Sequence, residues 1–163
     1  MAKVAFTAAA GEHYVLFRLH AAGLMAALAP RNAPSVDVIV LSPDEKITAE
    51  VQVKTSTGTV RSGWGTLSVK DETRARPGLY YALVNIRDPV QPVSYIVPSA
   101  VVADVLPKQH RAYHQRPRLY GDVTKPKADN SMRSIRDDFG FKVPGYPPGW
   151  MKPYLEAWHL LAE

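Results

Sequence analysis

The sequence predicts an α/β fold with a central sheet of four to five strands flanked by helices. Apolar residues near the N-terminus recur at helical spacing, and this spacing returns in the last stretch, residues 151–162. Between these stretches lie four runs with the length and composition of strands, at residues 36–41, 47–55, 79–86 and 93–97. A chain of 163 residues is long enough for one sizeable core, so we expect a single domain over residues 1–163.

The first helix is predicted over residues 8–28. Its apolar stripe is formed by Val15, Leu16, Leu19, Gly23 and Ala26. Glu12 lies at the edge of this stripe, on the side that should meet the sheet. This acid has two interpretations: a first-turn residue favoured by the helix dipole, or a carboxylate directed across the strands towards Asp37.

The first two strands are expected to pair through the short turn SPDEK. Asp37 interrupts the apolar run VDVIVL, whereas ITAEVQVKT alternates strictly and places Glu50, Gln52 and Lys54 on one face. If the two strands pair, Asp37 lies beside Gln52 and Lys54. An acid, an amide and a base at one place suit a divalent metal held next to a phosphate.

A glycine-rich stretch follows, and we predict a long loop with a short strand at residues 66–69. Arg61, Trp64 and Lys70 are candidates for contact with nucleic acid there, although Trp64 has the alternative of packing on the core. The next two strands should form a hairpin through the turn RDPVQP. A short helix, AVVADVL, is expected to end at Pro107.

Residues 108–149 form a basic, proline-rich extension that the predicted helix 151–162 should pack against the domain. Between residues 108 and 142 there are nine Lys or Arg and four Asp, and this surplus of five equals the net charge of +5 of the whole chain. A basic excess attracts nucleic acid, but solvated basic loops are also common. The candidate contacts to the DNA backbone here are Lys108, Arg111, Arg116 and Arg118.

Within this extension His110 and His114 have the i, i+4 spacing of metal ligands on a helix. The sequence shows no third ligand beside them, so we favour phosphate contact or a solvated surface.

Composition excludes several classes of protein. Cysteine is absent, which excludes disulfides, thiol catalysis and cysteine metal sites, and fits a cytoplasmic protein. No apolar run approaches the roughly 18 residues of a membrane span. The N-terminal stretch resembles a signal peptide, but Glu12, His13 and Arg18 break its apolar region.

The order of Glu12 in a helix, Asp37 in a strand and Gln52-Val53-Lys54 in the next strand resembles the PD-(D/E)xK, or restriction-endonuclease-like, nuclease superfamily. The resemblance is to its QxK variants, near the Holliday-junction resolvases and small prokaryotic endonuclease-like proteins. It implies a restriction-endonuclease-like core with a mixed sheet, and an endonuclease that hydrolyses DNA through metal-activated water.

The resemblance also implies the role of each site residue. Glu12, Asp37, Gln52 and the Val53 carbonyl would hold Mg²⁺, which Mn²⁺ would be able to replace, and Lys54 would assist catalysis. DNA is the implied partner, with a homodimer as the common assembly of relatives and no membrane association.

The chain departs from the superfamily pattern at Gln52, where most members have an acid. A neutral ligand attracts a hard cation less strongly, and Glu50 on the same face is a further candidate acid. The alternative function is therefore a catalytically inactive nucleic-acid-binding or interaction domain on the same fold.

Overall fold

A computed structural model describes residues 2–30, 33–44, 46–59, 63–117 and 129–162, with side chains from residue 5 onwards. Within these ranges the chain forms two helices and seven strands, namely α1 Ala2–Ala21, β1 Met25–Leu28, β2 Val38–Leu41, β3 Ile47–Ser56, β4 Trp64–Ser68, β5 Leu79–Asn85, β6 Val93–Pro98, α2 Ser99–Gln115 and β7 Met132–Ile135. Short 3₁₀ segments occupy Val69–Thr73, Lys152–Tyr154 and Trp158–Leu161. None of the helices in the described ranges has the length and hydropathy that crossing a bilayer requires.

The main sheet has five strands in the order β1-β2-β3-β5-β6. Strands β3 and β5 are parallel, and all other neighbours are antiparallel. The prediction of an α/β protein with a mixed sheet is therefore confirmed, as are the hairpins β2–β3 and β5–β6. The four predicted strands match the observed ones within two residues at each end, and β4 pairs with β7 in a separate two-stranded sheet.

Each face of the main sheet carries its own apolar core, because neighbouring strand residues point to opposite faces. On one face Val51 and Ala82 pack with Val15 and Leu19 of α1. On the other face Tyr81 and Leu83 pack with residues of α2, β4 and β7. Trp64 belongs to this second core with an exposed fraction of 1%, and its indole N–H donates to the Val84 carbonyl at 2.9 Å, so its packing alternative is confirmed.

The first helix begins at Ala2 and ends at Ala21, both earlier than the predicted 8–28, and residues 25–28 belong to a strand instead. Gly23 has φ of +79°, the left-handed conformation that glycine adopts after the end of a helix. The Leu24 amide donates to the Leu19 carbonyl and the Gly23 amide to the His20 carbonyl, both at 2.9 Å. This pair of bonds is a Schellman motif, so Gly23 ends the helix and does not continue its stripe.

The second helix continues past the proline that was expected to end it. Pro107 lies inside α2, which extends to Gln115. Val102, Val105 and Leu106 are fully buried against the sheet. The packing of this face outweighs the backbone hydrogen bond that a proline removes.

The predicted C-terminal helix 151–162 is wrong. The chain forms two 3₁₀ segments instead, and Glu156 between them has φ of +50°. Leu155 bridges to Tyr95, and the Glu156 amide donates to the Ser94 carbonyl at 2.9 Å. The segment thus covers the outer edge of β6. Its apolar residues are shared between the two cores and do not form one helical face.

Candidate active site

Asp37 immediately precedes β2, and its backbone is fixed on both sides. Its amide donates to the Val51 carbonyl and its carbonyl accepts from the Ala29 amide, both at 2.9 Å. The ladder between β2 and β3 begins with Val38 opposite Val51. Beyond that pair, β3 continues to Val53. The edge of Val53 on the β2 side lies next to the side chain of Asp37.

The carboxylate of Asp37 covers this continuing edge. Its Oδ2 accepts a hydrogen bond from the Val53 amide at 2.7 Å and another from Nε2 of Gln52. Gln52 and Val53 have exposed fractions of only 7% and 8%. Because N–H and C=O of one strand residue point to the same side, the Val53 carbonyl also faces this edge. The expected contact between Asp37 and Gln52 is confirmed.

Glu12 reaches the same region from α1. The preceding residue, Gly11, lies against β3 so closely that a Cβ added to it would be 1.9 Å from Oγ1 of Thr55. Burial raises the pKa of the Glu12 carboxyl, and the neighbouring charge of Asp37 raises it further, partly offset by His13. The two carboxylates are therefore within electrostatic reach, which favours the interpretation of Glu12 as an acid directed towards Asp37.

Lys54 lies on the β3 face that also carries Gln52, and a buried acid that the sequence interpretation missed lies near it. Asp71 has an exposed fraction of 2% and accepts hydrogen bonds from the Tyr81 hydroxyl at 2.8 Å and the Ser68 amide at 2.7 Å. Burial alone would raise the pKa of Asp71, but these bonds and the charge of Lys54 outweigh it and lower the pKa. Asp71 is thus an ionised carboxylate whose pKa is lowered in part by the charge of Lys54.

One sequence signal for Asp71 was present. Ser68 and Asp71 have the three-residue spacing of a capping box at the start of a helical turn, and both side chains make the expected bonds to each other's backbone. The burial of Asp71 under Tyr81 depends on the tertiary fold and has no local signal.

Glu50, the further candidate acid, is engaged elsewhere. Its Oε2 accepts from Nε of Arg76 at 3.0 Å and from a second guanidinium nitrogen of the same residue. In the described part of the chain no hydrogen bond joins Glu50 to Asp37. The structure therefore brings together Glu12, Asp37, Gln52 and Val53, and it leaves Glu50 with its arginine.

The candidate nucleic-acid contacts fall into three groups: exposed residues, residues outside the described ranges, and residues with partners within the protein. Lys70 and Arg111 are exposed. Arg61 and Arg118 lie outside the described residues.

Other cations of the basic extension have partners within the protein. Lys108 pairs with Asp104 at 2.7 Å, and the guanidinium of Arg116 lies 4.5 Å from the centre of the Phe141 ring. Arg133, with an exposed fraction of 8%, pairs with Glu72. Part of the positive charge counted in the sequence thus stabilises the fold and is not available to a ligand.

The donor atoms at Asp37 suit a hard divalent cation such as Mg²⁺. Carboxylate, amide and backbone carbonyl oxygens are the ligands that this ion prefers, and two or three of them suffice because it keeps several waters. The charge of Asp37 contributes to the raised pKa of Glu12, and a cation bound by both acids would offset this contribution. Gln52 would have to turn its amide so that the oxygen, and not the N–H, faces Asp37.

Models of protein families, curated proteins and solved structures were compared with the chain, and none of them matches it.

Proposed function

We propose that the protein is a metal-dependent endonuclease with a restriction-endonuclease-like core that hydrolyses phosphodiester bonds of DNA. The observation that carries the proposal is the Asp37 carboxylate at one edge of β3, where it contacts Gln52 and the Val53 amide. The charge of this carboxylate contributes to the raised pKa of Glu12 on α1, so a second acid lies within electrostatic reach of the same edge. Two acids and an amide at one edge are groups that can hold a hard divalent cation.

Each residue has a role in this proposal. Glu12, Asp37, Gln52 and the Val53 carbonyl would hold Mg²⁺, or Mn²⁺ in its place. When bound, the cation would activate water and neutralise charge on the phosphate. Lys54 would donate to a phosphate oxygen or to the attacking water, and a compact ammonium is suited to either.

The position of Lys54 supports this role. The ionised Asp71 is held by Tyr81 and Ser68 and is itself buried, so it is a fixed negative charge near the ammonium group. An anion at this place attracts the Lys54 ammonium group. Lys70, the exposed sequence neighbour of Asp71, adds a cation that a DNA backbone could contact.

A cleavage assay tests the proposal. Supercoiled and branched DNA are incubated with Mg²⁺ and the wild type, Asp37→Ala or Lys54→Ala, and we expect both variants to lose activity by on the order of 100- to 1000-fold. Asp44→Asn and Lys46→Ala are matched controls, because this acid and this lysine lie in the exposed turn of the same hairpin. Undiminished cleavage by Asp37→Ala and Lys54→Ala would exclude this site as the catalytic one.

The second candidate function is a nucleic-acid-binding domain without catalysis. It is favoured by the side-chain amide of Gln52, which donates a hydrogen bond to Asp37. This carboxylate therefore has a hydrogen-bond donor without a cation. This function predicts salt-sensitive DNA binding, no cleavage and no change in affinity when Mg²⁺ is replaced by a chelator.

A further inference from the structure

Two histidines of α2 and one aspartate that lies shortly before β7 converge on the surface. His110 and His114 are one helical turn apart, and the centres of their rings lie 4.4 Å from each other. Nε2 of His110 lies 2.9 Å from Oδ1 of Asp129. One donor atom from each of the three residues lies within 4.8 Å of the other two. Asp129, which lies 15 positions beyond His114 in the sequence, is thus the third potential ligand beside the histidine pair.

We propose that His110, His114 and Asp129 form a binding site for a divalent transition metal, with Zn²⁺ as the best fit. Imidazole nitrogen and carboxylate oxygen bind Zn²⁺ at about 2.0–2.2 Å, so that neighbouring ligands of a tetrahedral ion are about 3.4 Å apart. Spacings of up to 4.8 Å reach this value through small side-chain rotations. Two imidazoles select Zn²⁺, Co²⁺ or Ni²⁺ over Mg²⁺ and Ca²⁺, which prefer oxygen.

An ion pair between His110 and Asp129 does not account for the whole arrangement. It leaves His114, whose ring is directed to the same place, without a role in the cluster. The two imidazoles would also repel each other if both were protonated, whereas a bound metal requires both to be neutral. A metal ion explains all three positions.

The site is open on one side. The side chain of His110 has an exposed fraction of 20% and that of Asp129 of 76%, so the ligands run from a half-buried helix face to the solvent. Three protein ligands leave the fourth tetrahedral position for water. The site is also separate from Asp37, because α1 and α2 pack on opposite faces of the main sheet.

Metal binding would fasten two parts of the chain. Asp129 lies three residues before β7 and the histidines lie on α2, so the ion would cross-link the helix to the start of that strand. Because the ion binds the folded arrangement of the three side chains and not the unfolded chain, its binding stabilises the fold.

Titration with Co²⁺ alone tests the site, because tetrahedral Co²⁺ with nitrogen ligands has a characteristic visible absorption. We expect the wild type to develop this absorption and Zn²⁺ to remove it by competition. His114→Ala and Asp129→Asn should bind Co²⁺ at least tenfold more weakly. His159→Ala, which removes an exposed histidine outside the cluster, should bind Co²⁺ as the wild type does.

Thermal unfolding supplies a second readout that does not depend on the spectrum. Zn²⁺ should raise the Tm of the wild type and of His159→Ala, but not that of Asp129→Asn, whose exposed position makes the substitution compatible with folding. The proposal is wrong if the wild type gives no tetrahedral Co²⁺ spectrum, or if His114→Ala and Asp129→Asn bind Co²⁺ as tightly as it does.

Discussion

The side chain of Glu12 occupies a position in which its own charge is unfavourable. Burial and the charge of Asp37 raise its pKa, so the folded state binds a proton more tightly than the unfolded state does. The free energy of unfolding therefore falls as the pH rises from the ordinary value of 4.5 through the higher pKa of the folded state. This cost is present at neutral pH unless a cation offsets it.

Glu12→Gln should consequently stabilise the metal-free protein at pH 7. The gain should be a few tenths of a kcal/mol to about 1 kcal/mol, the range of charge interactions at partly exposed sites. The same variant should lose affinity for Mg²⁺, because an anionic ligand is removed. Urea unfolding in chelator and in Mg²⁺ measures both effects. If the variant is less stable than the wild type in chelator, the claim that the charge of Glu12 destabilises the metal-free folded state is wrong.

The residues of the candidate site could be predicted from the sequence because they share a local pattern. Asp37 is the one acid in an apolar run, and Gln52 and Lys54 lie on the polar face of an alternating strand. The hydrogen bond between Asp37 and Gln52 confirms that part. The burial of Asp71 near Lys54 could not be predicted, since its environment is formed by Tyr81 of β5 and Lys54 of β3.

Helix α1 brings Glu12 to the site through one close contact with β3. Gly11 permits the approach, and Oγ1 of Thr55 fills the space that a Cβ would need. This hydroxyl is buried and has no hydrogen-bond partner in the described residues, so its place depends on packing alone.

Gly11→Ala should destabilise the protein, although alanine is the better helix former. Alanine gains about 1 kcal/mol in an ordinary helix interior, but a clash in a packed core costs typically about 1–3 kcal/mol. Adding Thr55→Ala should restore most of the stability, because it removes Oγ1 and Cγ2 and leaves only Cβ of residue 55, at 3.0 Å, against the new methyl group. Chemical denaturation of both single variants and the double variant gives the coupling. An increase in stability for Gly11→Ala alone would show that α1 does not approach β3 so closely.

Helix ends were predicted less well than strands, for physical reasons visible at particular residues. Gly23 fits the apolar spacing of a longer helix, but its left-handed conformation ends the helix. Pro107 is a strong local stop signal, yet the buried face around Leu106 carries α2 past it. At Gly23 a local end signal overrides the apolar spacing, whereas at Pro107 tertiary packing, which the sequence alone does not contain, overrides a local stop signal.

The C-terminal segment is fastened to the rest of the molecule by Glu156. Its carboxylate accepts from the Ser94 amide and hydroxyl, each at 2.7 Å, from the Trp158 indole at 2.9 Å, and from Arg18 of α1. One side chain thus connects the first helix, the edge strand β6 and the chain end. Burial tends to raise the pKa of Glu156, but these hydrogen bonds outweigh it and lower the pKa.

The lowered pKa of Glu156 gives a stability contribution with a defined pH dependence. It is fully present above the ordinary value of 4.5 and is lost as the pH falls through the lower pKa of the folded state. Glu156→Gln should lower the free energy of unfolding by about 1–3 kcal/mol at pH 7 and flatten its acid dependence. Urea unfolding between pH 3 and 7, with roughly unit steps, measures this. Parallel curves of unfolding free energy against pH for variant and wild type would refute the effect. Glu12→Gln serves as the contrast, because its effect on stability has the opposite sign.

The central claim for the whole molecule is that Asp37 and its neighbours bind a hard divalent cation. Calorimetric titration with Mg²⁺ tests it most directly, because imidazole ligands bind this ion poorly and the His110 cluster does not interfere. We predict saturable Mg²⁺ binding to the wild type and to Asp44→Asn, and its loss in Asp37→Asn. The absence of Mg²⁺ binding to the wild type, or equal binding by Asp37→Asn, would contradict the claim.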